Sequence, residues 1–169
     1  MVKLLGASLT AAACAWIGFR GAESLKRRYR AIRELEQGLM LLEQELELCA
    51  PPLPELLERL SAQTEGCGSL LFSTCSAGLK RLEETTFLAV WKEAVNACAV
   101  SGQDCIRCLL PLGETLGRYD VAAQIRAISA VRRQLDTLVH LAQEEYRRQS
   151  GVYRALGISG GAFLVILLL

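Results

Sequence analysis

Apolar residues change their spacing twice along the chain. Leu4 to Phe19 is apolar all round and carries no charge, and Val152 to Leu169 is a second such run, interrupted by Arg154 alone. Between them apolar positions recur at steps of three and four, the signature of one buried face on an α-helix. Leu25, Tyr29, Ile32, Leu35, Leu39, Leu42, Leu46 and Cys49 predict a first long helix, which ends at Ala50-Pro51-Pro52 because proline cannot continue the hydrogen-bond ladder. Shorter helices are predicted over Pro54–Gln63 and Ser69–Arg81, separated by a break at Glu65-Gly66-Cys67-Gly68. Thr85-Thr86 is a cap for a helix carrying Phe87, Val90, Trp91, Val95 and Cys98 inward. Ser101 and Asp104 have capping-box spacing for a helix reaching about Leu116, with a kink or break at Pro111. Gly117 then takes the left-handed conformation that ends a helix, and Asp120 caps the last one. Val121, Ile125, Ile128, Val131, Leu135, Leu138 and Ala142 form the inner face of that final helix. No stretch alternates with period two for the length of a strand, so the expected fold is all-α. Its two long helices pack antiparallel, and the short ones sit at their far end.

The two uniform runs predict membrane spans. Sixteen helical residues reach about 24 Å, short of the ~30 Å hydrocarbon core, but Lys3 and Arg20 can snorkel and Trp16 suits the interface. Charge sets the orientation. Arg20, Lys26, Arg27, Arg28, Arg30 and Arg33 follow the first run against Glu23 alone, and Arg147, Arg148 and Arg154 attend the second. Basic residues beside a span stay on the cytoplasmic side. The same placement argues against a cleaved signal at Ala11-Ala12-Ala13-Cys14, since the dense basic cluster follows the run instead of preceding it. The expected organisation is an N-terminal transmembrane helix over 1–20, a cytoplasmic helical domain over 21–151 and a C-terminal transmembrane helix over 152–169.

Composition adds little beyond this. A net charge of +1 points to no nucleic acid, and the basic run at Lys26-Arg27-Arg28-Tyr29-Arg30 suits anionic membrane lipids beside a span. Of the seven cysteines, Cys105 and Cys108 form a single CxxC. Zinc needs a second pair or histidines, and His140 is the one histidine in the chain. Free cysteine in a reducing compartment packs as a small hydrophobe, and a redox or metal-dependent regulator using Cys105 and Cys108 is the alternative reading. Glu43 and Glu47 lie one turn apart on one helix face, either a solvated face or an acidic surface for a basic partner. No phosphate-binding glycine loop and no nucleophile motif occurs, so no catalytic residue, cofactor, metal site or small-molecule substrate is expected.

Leu112-Gly113-Glu114-Thr115-Leu116-Gly117-Arg118-Tyr119-Asp120, continuing to Gln124, reads as a helix–turn–helix corner with polar side chains available for contact. Together with the Met1-Val2-Lys3-Leu4-Leu5-Gly6 start, the Leu41–Leu46 helix running into Pro52, Trp91 in Val90-Trp91-Lys92-Glu93 and the Leu156-Gly157 opening of the last run, this corner resembles the stage III sporulation protein AB family. The resemblance implies a non-enzymatic platform in an export-like complex in the mother-cell membrane facing the forespore, alongside other stage III sporulation proteins that include an ATPase. It also implies a bundle similar to the cytoplasmic domains of type II secretion and type IV pilus platform proteins. The expected docking or structural motif is Gly113, Glu114, Leu116, Gly117, Arg118, Asp120 and Gln124, with Glu43, Glu47 and Trp91.

Overall fold

The computed structural model describes residues 2–49, 51–80, 86–118 and 120–168. Among them the structure is helical, with no strand: α1 (Val2–Leu48), α2 (Leu53–Gln63), α3 (Gly66–Leu79), α4 (Phe87–Ala97), a 3₁₀ turn (Ala99–Ser101), α5 (Gln103–Leu109), α6 (Leu112–Thr115) and α7 (Val121–Leu168). The all-α class read from the hydrophobic spacing therefore holds. Arg81, Thr85 and Tyr119 lie outside the described residues.

The chain divides into two compact units. One comprises Met1–Tyr29 with Leu141–Leu169, where Arg28 pairs with Glu145 at 3.2 Å and Ala22 and Ala142 are buried. The backbone of both apolar runs is helical in this unit. The side chains on which the two expected spans depend are mostly outside the description, and among the described residues no helix is long and apolar enough to cross a membrane.

The second unit, Arg30–His140, holds the core. Ile32, Leu35, Leu39, Leu42 and Leu46 of α1 are buried, as the stripe requires, and so are Ile128, Val131 and Leu135 of α7. Ile125 and Leu138 are half-buried, while Val121 and Cys49, at the ends of their stripes, are exposed. Glu43 meets Ser129 and Arg132, and Glu36 meets Arg132 at 3.5 Å, so α1 and α7 run antiparallel here. Leu56, Leu57 and Leu60 of α2, Leu71 and Phe72 of α3, and Val90, Trp91 and Val95 of α4 complete the interior. α2 packs on α3, α3 on α4, and α4 on α5 and α6.

Two local expectations fail, the first for a tertiary reason. The break before α3 spans only Thr64 and Glu65, because the Glu34 carboxylate of α1 accepts the Cys67 N–H at 2.9 Å. A free helical N–H is thereby satisfied from outside the segment, and the helix starts at Gly66. The second is the capping box. The Ser101 hydroxyl donates to the Cys98 carbonyl at 2.8 Å, and α5 is preceded by Gly102 at φ 94° with no side-chain cap. Thr86 does cap α4, its hydroxyl accepting from the Ala89 N–H at 3.4 Å.

Candidate functional site

The corner after α5 is assembled by a proline, two glycines and an indole. α5 stops at Leu109, two residues before Pro111. The Gly113 N–H turns to the Leu110 carbonyl at 3.2 Å, which leaves the Leu109 carbonyl without its usual helical donor. The buried Trp91 supplies one, donating through Nε1 at 2.9 Å. Its ring lies against Gly113, where any Cβ would stand 2.6 Å from Trp91 Cδ1. Leu116 then leaves the helical conformation and Gly117 takes φ 74°, the left-handed region expected of it. Gln124 of α7 reaches back, its side-chain oxygen accepting the Gly117 N–H at 3.3 Å. The Asp120 carbonyl closes the first turn of α7 by accepting from Ala123 and Gln124 at 3.0 and 3.1 Å.

The motif residues thus fall into two groups. Trp91, Leu112, Gly113, Leu116 and Gln124 are buried and hold the corner, whereas Glu114, Arg118 and Asp120 are exposed upon it. A turn presenting two acids and a base is suited to polar contact with another surface.

Glu43 requires a correction. It is only 8% exposed, and its carboxylate accepts from the Ser129 hydroxyl and pairs with Arg132, so no acidic face is shared with the exposed Glu47. The physical reason is a cation on α7 that draws this carboxylate inward. Burial by itself would raise the Glu43 pKa, but the hydrogen bonds from Ser129 and Arg132 and the charges of Arg132 and Arg133 outweigh it and hold the carboxyl below its ordinary value. Glu45 turns to α2 instead, pairing with Arg59 at 3.0 Å. Ser129 and Arg132 had no signal in the sequence, since they stand 86 and 89 residues from Glu43.

Cys105 is buried and Cys108 half-buried on α5, and burial, with Asp104 nearby, pushes the Cys108 thiol up. Cys75 is buried and its thiol is pushed up to about 12. Among the described residues no three His, Cys, Asp or Glu side chains are grouped to hold a metal ion. His140 sits exposed beside Asp136, 3.7 Å away.

The family model for stage III sporulation protein AB matches residues 3–169. The chain belongs to that family. A relative in Bacillus subtilis (strain 168), named stage III sporulation protein AB, is 28% identical over 173 residues, and the match covers all of both chains. A solved structure of a stage III sporulation protein AB superposes with a TM-score of 0.62, covering 72% of this chain and 97% of the other at 24% identity. That likeness establishes the helical fold as the family's own. The family match includes both apolar runs and the Trp91–Gln124 corner.

Proposed function

We propose that this chain is a non-enzymatic platform of a sporulation channel complex in the mother-cell membrane, anchored at both ends and docking an ATPase and other stage III sporulation proteins. The observation that carries this reading is the family match along essentially the whole chain, both apolar ends included. Two features support it. α1 and α7 are unbroken helices into the apolar ends, so an anchor and the core of the cytoplasmic domain would share one element. The domain would then resemble the bundles of type II secretion and type IV pilus platforms. The corner offers Glu114, Arg118 and Asp120 on a buried frame, with Glu47 exposed on α1, and these are the side chains assigned to docking.

The test is co-purification of the tagged full chain from sporulating cells. An associated ATPase is expected with the natural sequence, and its recovery should drop severalfold for Glu114→Lys combined with Arg118→Glu. Surface charge reversals of this kind leave stability within about 0.5 kcal/mol. A melting transition moved well beyond that range by circular dichroism would make the two residues structural and defeat the docking assignment. Replacing Cys105 and Cys108 together by Ser should leave the complex intact, and loss of the complex with the fold preserved would favour the regulator reading.

A further inference from the structure

The two helices that continue into the apolar runs are tied by an ion pair, and that pair sets the level of the cations around it. Arg28 of α1 meets Glu145 of α7 at 3.2 Å, and Gln149 donates to the other oxygen of the same carboxylate at 3.3 Å. α1 leaves one apolar run and α7 leads into the other. Lys26 and Arg27, before Arg28, and Arg147 and Arg148, after Glu145, therefore all lie on the apolar side of the pair. At 1.5 Å per residue they stand about 1.5–4.5 Å from it along the helices, nearly at one level. All four are exposed, and none of them pairs with an acid among the described residues. With Arg28 and Glu145 cancelling, Arg20, Lys26, Arg27, Arg147 and Arg148 stand against Glu23 and Glu144 over 20–28 and 141–149.

We propose that Lys26, Arg27, Arg147 and Arg148 form a collar that binds the headgroup phosphates of anionic phospholipids, resting on the double anchor proposed above. The occupant follows from depth and direction. Lys26 lies seven residues past Phe19, and Arg148 four before Val152, which is about 10 Å and about 6 Å of helix beyond the apolar edges. The headgroup layer is about 5–7 Å deep on each side of the hydrocarbon, and flexible basic stems reach back into it. Trp16 is 65% exposed with the Arg20 guanidinium 5.9 Å from its ring centre, the kind of aromatic–cation pair that settles at the inner edge of that layer. Successive residues on a helix point about 100° apart, so the two cations of each adjacent pair diverge. Charges spread around two helices suit a layer that surrounds them, whereas a protein partner or a single small anion would be met by one face. Of the basic run on α1, the fold commits Arg28 to the tie and supplies Arg147 and Arg148 from α7. Cations so placed attract anionic headgroups over about a Debye length.

The experiment reconstitutes the full chain into vesicles of phosphatidylcholine alone or mixed equally with phosphatidylglycerol, with bromine on the acyl chains of one lipid. Brominated chains quench a tryptophan that touches lipid, so Trp16 reports and the buried Trp91 supplies a constant background. Quenching by brominated phosphatidylcholine alone is expected from the anchor, and its absence would defeat anchor and collar together. In the mixture, phosphatidylglycerol should be enriched severalfold around Trp16. Equal quenching by the two lipids, with the anchor intact, would overturn the collar by itself. The enrichment should disappear when Lys26, Arg27, Arg147 and Arg148 are all changed to Gln, with quenching by phosphatidylcholine retained. It should persist in Lys92→Gln with Arg107→Gln, which removes exposed cations elsewhere. Enrichment that survives the fourfold change, or that inorganic phosphate abolishes at constant ionic strength, would refute the assignment. Should the fourfold variant fail to insert, salt decides. At about 1 M, where the Debye length is about 3 Å, the natural chain should lose its preference, and a preference that persists would sink the collar.

Discussion

Trp91 gives the corner both a ring against Gly113 and a hydrogen bond to Leu109, and substitution separates the two. Trp91→Phe keeps an aromatic ring but abandons the Leu109 carbonyl inside the core. A buried acceptor left unsatisfied costs about 1–3 kcal/mol, which urea denaturation would record as a lower midpoint. Glu43 makes a prediction in pH. Its folded pKa is depressed, so its contribution to stability is complete above the ordinary carboxylate value and is lost as pH falls through the folded one. Stability of the natural chain should therefore decline more steeply below about pH 5 than that of Glu43→Gln, measured as denaturation midpoints over the acid range. Parallel slopes would mean that Glu43 is held no more tightly than in the unfolded chain. Neither Trp91's hydrogen bond nor Glu43's pairing is visible in the sequence, because each depends on a group that another helix delivers.

The helices themselves were largely readable. The stripe on α1 from Ile32 to Leu46 is continuous enough that only a helix buries it on one side, and Pro51-Pro52 and Pro111 stop their helices by removing hydrogen-bond donors. Gly117 was readable for a similar reason, since its position past the last apolar residue of the α5–α6 stretch calls for the left-handed conformation it adopts. The start of α3 was not, because its cap is Glu34 on another helix. Helix crossing was equally hidden. Gly68 brings α3 so near α1 that a Cβ there would lie 2.9 Å from the Glu34 carbonyl oxygen, and a Cβ at Gly38 would lie 2.9 Å from the Phe72 ring. Gly68→Ala should cost about 1–3 kcal/mol by overpacking, with an unchanged denaturant slope. A neutral or stabilising result would show that the two helices part without loss.

For the molecule as a whole, the proposal turns on which side of the membrane the Arg30–His140 unit occupies. Cys49 is a natural reporter, being exposed just past the end of α1. In intact cells it should resist a membrane-impermeant maleimide and become labelled once the cells are opened. Labelling before lysis would place the unit outside and refute the double-anchor orientation. The corner charges Glu114, Arg118 and Asp120 would then face the wrong compartment for an ATPase.

What the sequence determined by itself was the helical class, the inward face of each long helix, the apolar ends and the family resemblance. Periodicity and proline act within a few residues, so these features are written locally. The tertiary structure alone decided which polar groups meet. It turned Glu43 from a surface acid into the partner of Ser129 and Arg132, divided the corner into a buried frame and exposed charges, and brought the Cys98 thiol to the Cys67 carbonyl. Those pairings join residues seven to 89 positions apart. No local preference encodes such a meeting, because its free energy exists only after the helices have packed and the groups have left water.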